Sequence, residues 1–200
     1  MRKITAGLFI AADGVVEAPD QWHFPYYNEE LGAAVNARLG SADTLLFGRA
    51  TYENFAGAWP SRESGPVDAG DVAAAVAEVS QLSRMAKALG DARKLVVSHS
   101  PLMFTWRNSE QLRGDLVEAV TELKSGPGGA VAMSGSVSVV RQLLAARLLD
   151  ELHLFVHPIA VGHGQRLFAD SATPLPLTLL SCEAFRTGVL HVVYGPAEEA

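Results

Sequence analysis

Asp43-Thr44-Leu45-Leu46-Phe47-Gly48-Arg49-Ala50-Thr51-Tyr52-Glu53-Asn54-Phe55 is the stretch that decides the fold. The apolar run Leu45-Leu46-Phe47 predicts a strand buried on both faces, and the segment from Thr51 has helical spacing. Gly48 is the joint between them. A strand running through a glycine into a helix leaves unpaired backbone N–H groups and a positive dipole end, which suit a phosphate. Arg49 adds a permanent charge with a fork geometry for phosphate oxygens. Thr51 can cap the helix or offer its hydroxyl to the same anion. A plain strand–turn–helix joint with a surface arginine would read the same way.

The bulk of the chain narrows the choice. Its 200 residues suit a single α/β domain over residues 1–200, with enough chain to bury a core. Nearly half of the residues are apolar and 19% are charged, the composition of a folded globule. A net charge of −6 argues against nucleic acid as a partner. One cysteine, Cys182, excludes an internal disulfide and fits a reducing cytoplasm, with packing inside a strand as its expected role. No apolar run reaches membrane-spanning length, and the N-terminus lacks a signal pattern. The expected location is therefore cytoplasmic.

Gly48-Arg49-x-Thr51-Tyr52-Glu53 resembles the Gly-Arg-x-Thr-Trp-Glu segment of dihydrofolate reductases, and Trp22-His23-Phe24-Pro25 resembles their Trp-x-Leu-Pro. Leu8-Phe9-Ile10-Ala11-Ala12-Asp13-Gly14-Val15 and Phe24-Pro25-Tyr26 bring the chain closer to one bacterial branch. That branch groups dihydrofolate-reductase-like proteins with the reductase domain of the riboflavin-pathway deaminase–reductase. The likeness runs from about Lys3 to Pro196. It implies an α/β, dihydrofolate-reductase-like three-layer fold, a mostly parallel central sheet with a C-terminal antiparallel hairpin. It also implies an NADPH-dependent reductase of a pyrimidine or pteridine-like ring, similar to a 5-amino-6-(5-phosphoribosylamino)uracil reductase, and a homodimer. The alternative is a nucleotide-binding protein of the same fold without efficient catalysis.

Taken in order, Ile4, Ala6, Leu8 and Ile10 share one face of a first strand, with Thr5, Gly7 and Phe9 on the other. Asp13-Gly14 ends it in a turn. By resemblance the following loop lies over nicotinamide and substrate, which makes Asp13 a candidate catalytic group. Trp22, Phe24 and Tyr27 belong to an aromatic-rich loop fit to wall a flat heterocycle. His23 reads as a packed or surface histidine. Tyr27 stands where dihydrofolate reductases carry the pterin-binding carboxylate. A phenol cannot replace a carboxylate at neutral pH. This turns the reading from dihydrofolate toward ribityl- or ribosylamino-pyrimidines, with Glu30, one turn on, as the other catalytic candidate.

Asn28 is the expected N-cap of a helix whose apolar stripe is Leu31, Ala34, Val35 and Leu39. Residues 61–70 read as a loop and 71–89 as an alanine-rich helix, with part of 61–92 an insertion relative to the family. A strand at Lys94–Ser98 ends in Ser98-His99, where the family meets the 2′-phosphate of NADPH. No acidic residue stands there for a ribose 2′-hydroxyl, which favours NADPH over NADH. Residues 101–111 read as loop. Asp115 starts a helix that Gly126-Pro127-Gly128-Gly129 stops. Ala130–Met133 is a strand leading through Ser134-Gly135-Ser136 into another helix, so Gly135 and Ser136 complete the expected cofactor set of Gly48, Arg49, Thr51, Ser98 and His99. The family carries Gly-Gly at this turn, and Ser134 replaces the first glycine. His153, His157 and His163 match no standard zinc spacing, and no metal is expected. Residues 175–185 and 189–194 form a hairpin, with Pro174 and Pro176 marking an edge.

Overall fold

A computed structural model describes residues 1–63, 73–168 and 174–197. Among them, eight strands form one sheet in the order β4-β3-β2-β5-β1-β6-β8-β7. β1 (Ile4–Ala11) is central, paired in parallel with β5 (Ala130–Ser134) on one side and β6 (Glu151–His157) on the other. β2 (Ala42–Gly48) lies between β5 and β3 (Arg93–Val97), again in parallel. β8 (Leu190–Pro196) runs antiparallel to β6, and β7 (Leu177–Ala184) closes that edge as the hairpin partner of β8.

The apolar run of β2 is explained by what covers each face. Leu45 and Phe47 pack against α1 (Glu29–Gly40), α2 (Arg49–Ala58) and α3 (Ala73–Asp91) through Leu39, Tyr52, Met85 and Leu89. Leu46 points the other way, with Ile4, Ala6, Leu8, Val131 and Met133. That face is covered by α4 (Leu116–Ser125) and α5 (Val137–Ala145). Successive residues of a strand face opposite sides, so a sheet buried between two helical layers must be apolar at every position. The result is the expected three-layer fold.

The caps follow the sequence. Asn28 Oδ1 accepts from the Leu31 N–H at 2.9 Å, and Asp115 Oδ1 from the Val117 and Glu118 N–H groups at 2.9 and 3.1 Å. Fully buried Lys94 closes the C-terminal end of α3. Its ammonium donates to the carbonyls of Leu89, Gly90 and Ala92 at 2.7–2.9 Å and lies 4.4 Å from the centre of the Trp106 ring.

Three expectations are corrected. Residues 101–111 are not all loop: Ser109–Gln111 is β4, a short edge strand parallel to β3. Cys182 does not pack inside the protein, because β7 is exposed and the thiol with it. Thr51 does not cap α2. The N-cap is Gly48, which no side chain caps, and Thr51 lies in the first turn. The expected start of the alanine-rich helix at Asp71 lies outside the described residues.

Candidate active site

A cleft of about 980 Å³ opens at the carboxyl ends of β1, β2, β3 and β5. This is where ligands bind in open α/β sheets. One wall gathers the residues expected to hold a cofactor. Gly48, Arg49 and Thr51 come from the β2–α2 joint, Ser98 and His99 from the end of β3, and Gly135 and Ser136 from the β5–α5 joint. All seven expected cofactor residues therefore line one cleft. Two helix N-termini, those of α2 and α5, converge on it, and neither carries a side-chain cap. First-turn N–H groups lack intrahelical partners, so both ends are open to an anion.

The two joints are tied together. Ser136 Oγ accepts from the Gly48 N–H at 2.6 Å and donates to Thr51 Oγ1 at 2.9 Å. A Cβ on Gly48 would meet Ser136 Oγ at 3.1 Å, so glycine permits the close approach. Gly135 and Ser136 both have positive φ, 78° and 66°. Arg49 reaches across the wall, with Nη1 donating to Ser100 Oγ at 2.8 Å and Nε to Glu53 at 2.8 Å.

The other end is aromatic and differs from the sequence expectation. Phe9, Val35 and Phe155 line it with Asp20, His23 and Arg38. The five residues expected there are elsewhere. Asp13 accepts from the Gly162 N–H at 2.7 Å, and that bond, with other backbone N–H groups, holds its carboxyl below the usual range despite partial desolvation. Glu30 accepts from the Arg186 backbone N–H at 2.8 Å and from Asn28 at 2.7 Å, and pairs with the Arg186 guanidinium at 3.2 Å. Those contacts, the backbone one first, lower its carboxyl as well. Trp22 is buried against Ala11 and Val15, its indole N–H donating to the Glu17 carbonyl at 3.0 Å. Phe24 and Tyr27 are 64% and 48% exposed and do not line the cleft. Tyr27 instead lies over α1, where a Cβ on Gly32 would meet its Oη at 2.6 Å.

Arg38 is the residue that sequence reasoning missed. It extends from α1 over the bare backbone of Gly7, where a Cβ would fall 2.5 Å from its guanidinium carbon. Nη1 donates to the Met133 carbonyl at 2.7 Å, and buried Nε has no partner. No carboxylate pairs with it among the described residues. Burial alone lowers its pKa to about 10, so it stays charged at neutral pH. The signal was present, since Arg38 follows Leu31 by seven positions and Val35 by three, on the apolar stripe itself. Beside it, across the β1–β6 register from Gly7, is His153. Its Nδ1 is 3.0 Å from His191 Nε2 and its Nε2 is 3.2 Å from Glu151. Burial lowers His153 to about 4, against the opposing pull of Glu151.

A model of the RibD C-terminal domain matches residues 2–191. The chain belongs to the RibD C-terminal domain family. A relative in Bacillus subtilis (strain 168), the uncharacterized protein YyaP, is 23% identical over 96% of this chain and 94% of its own length. Among solved structures, a Shewanella sp. PV-4 protein assigned to riboflavin biosynthesis superposes with a TM-score of 0.70 at 15% identity, covering 98% of this chain and 99% of that one. A Thermotoga maritima diaminohydroxyphosphoribosylaminopyrimidine deaminase/5-amino-6-(5-phosphoribosylamino)uracil reductase gives 0.62 at 16% identity. The match covers 98% of this chain but 57% of that longer one. At these identities the structures establish a shared fold, and the family supplies the rest of the kinship.

Proposed function

We propose that the chain is an NADPH-dependent reductase acting on a pyrimidine compound that carries an anionic substituent, of the 5-amino-6-(5-phosphoribosylamino)uracil kind. The observation that carries this reading is one cleft with two different ends. The first is an anion wall without a single acidic residue among its seven expected members. The second is an aromatic end that holds Arg38, a buried guanidinium without a carboxylate partner among the described residues. The donor set suits a nicotinamide dinucleotide. Backbone N–H groups of the first turns of α2 and α5, at Arg49–Thr51 and Ser136–Val137, suit the diphosphate, and Arg49, Ser98, His99 and Ser100 suit a 2′-phosphate. Bound there, NADPH would supply hydride, and the protein would supply position and electrostatics.

On this reading Gly48 and Gly135 let the backbone approach phosphate oxygens, and Arg49 neutralises charge at the mouth. Phe9 and Phe155 give the substrate ring an apolar surface, and Arg38 draws its anionic substituent to the floor. This reading carries with it a cytoplasmic location. We also infer a homodimer formed through β7, an exposed sheet edge that carries Leu179 and Leu180 in the open. Sedimentation of a single monomeric species at micromolar protein would contradict that arrangement.

The test is oxidation of NADPH by purified protein, followed by its absorbance, with and without 5-amino-6-(5-phosphoribosylamino)uracil. Substrate-dependent oxidation is the expected result. Binding of NADPH without turnover of any pyrimidine would favour the second reading, a nucleotide-binding protein. Its supporting observation is that Asp20 is the only carboxylate lining the cleft among the described residues.

A further inference from the structure

A phosphate takes only donors, so a site that holds one must present N–H and O–H groups and keep its carbonyl oxygens engaged elsewhere. The end of β3 does not guarantee this by itself. Ser98, His99 and Ser100 line the cleft, and each brings a backbone carbonyl as well as a side chain. The group that engages two of those carbonyls lies behind the wall, on β4.

Gln111 is the last residue of β4, the edge strand of the sheet, and pairs in register with Val96 of β3. It does not line the cleft. Its side chain crosses to the loop after β3, where Nε2 donates to the Ser98 carbonyl at 2.9 Å and to the Ser100 carbonyl at 3.2 Å. Both partners are carbonyl oxygens, which only accept, so the amide has one possible orientation, with both N–H groups of Nε2 in use. The Ser100 carbonyl also accepts from the Ser98 hydroxyl at 2.8 Å, and the Ser100 N–H donates to Ser98 Oγ at 3.3 Å. The loop is thus closed on itself, with Gln111 as its tie to the sheet. Toward α2, Ser100 Oγ accepts from Arg49 Nη1 at 2.8 Å, and its own proton has no acceptor among the described residues. A guanidinium beside a hydroxyl with a proton to give is a paired donor suited to a phosphate.

We propose that Gln111 is a positioning residue for cofactor choice: by holding the Ser98 and Ser100 carbonyls, it sets the Arg49–Ser100 pair to receive the 2′-phosphate of NADPH. The inference rests on the reductase reading above and deepens it. Gln111 touches neither cofactor nor substrate, and no chemical step passes through it. Without its amide, two carbonyls lose a donor within the loop that meets the phosphate. A carboxylate in its place would set negative charge against both carbonyls, and the loop would turn away from it. NADH has no 2′-phosphate, and its diphosphate would be held elsewhere in the cleft, at the first turns of α2 and α5. The expected loss is therefore one of discrimination between the two nucleotides, not of nucleotide binding as such.

The experiment is calorimetric titration of the full chain with NADPH and with NADH, for the unaltered protein, Gln111→Met and Gln111→Glu. The dissociation constant for NADPH should rise about 10-fold in Gln111→Met and about 100-fold in Gln111→Glu, while that for NADH changes less than about twofold in either. Retained NADH binding also shows that both variants fold. Equal weakening of both nucleotides would assign Gln111 to structure alone and overturn the proposal. An unchanged ratio of the two constants would overturn it as well, as would an unaltered protein that binds the two nucleotides alike. In each of these cases NADPH still binds, and the reductase reading stands. Failure of the unaltered protein to bind either nucleotide would overturn that reading and this inference with it.

Discussion

Ser136 Oγ accepts a hydrogen bond from the Gly48 backbone N–H at 2.6 Å, joining two loops that are 88 residues apart in sequence. The same hydroxyl donates to Thr51 in the first turn of α2. Ser136 makes these bonds from a left-handed backbone conformation, φ 66°, which costs about 1–2 kcal/mol for a non-glycine residue. Ser136→Ala keeps that cost and loses both bonds. It should lower stability by about 1–3 kcal/mol, read from the urea midpoint at an unchanged slope. Ser136→Gly relieves the backbone and should lose less. Equal losses in both variants would show that the left-handed conformation has no part in the effect.

Arg49 lines the anion wall and already donates to Ser100. If it also meets a phosphate of the cofactor, Arg49→Ala should weaken NADPH binding by about 1.5–3 kcal/mol, the range for a charge-assisted hydrogen bond. NADH, which lacks the 2′-phosphate, should be affected less. Calorimetric dissociation constants for both nucleotides check this, and an unchanged NADPH constant would remove Arg49 from the site.

Gly7 and Arg38 form a matched pair, because the guanidinium occupies the space a side chain at position 7 would take. Arg38→Met should cut kcat/KM for the phosphorylated substrate by roughly 10- to 100-fold, the loss of one charged contact, and much less for the dephosphorylated one. Gly7→Ala should displace the guanidinium and copy that selectivity. An equal loss on both substrates would assign Arg38 to structure alone.

Acid should weaken the fold through its buried histidines. His23 and His153 titrate at about 4 in the folded protein, against 6.5 for a free histidine, chiefly because burial disfavours the charged form. Between those values the unfolded chain takes up protons that the folded chain does not. Stability is therefore complete above pH 6.5 and falls as pH drops toward 4, by at most about 3 kcal/mol per histidine. His153→Gln should flatten the urea midpoint between pH 6.5 and 4. A midpoint equally steep in the variant would assign the acid sensitivity to other groups.

The anion wall was legible because strand, glycine and helix start leave a chemical signature in consecutive residues. The aromatic end was not. Between Val15 and Asn28 the chain makes two 3-10 turns, Pro19–Gln21 and Phe24–Tyr26, and enters the first through Ala18 in a left-handed conformation. Neither strand nor helix periodicity applies there, so nothing in the sequence says that His23, rather than Trp22 or Phe24, faces the cleft. Asp13 and Glu30 were misplaced for a related reason. Their partners, Gly162 and Arg186, lie 149 and 156 residues away. β4 escaped notice because Ser-Glu-Gln has neither apolar alternation nor β-branched residues.

The most direct test of the whole account is calorimetric titration of the purified protein with NADPH and, separately, NADH. The cleft described above predicts binding of NADPH with a clear preference over NADH, since Arg49, Ser98 and His99 line its anion wall and no carboxylate lines the cleft there among the described residues. Failure to bind either nucleotide would contradict it, leaving a reductase fold without reductase chemistry.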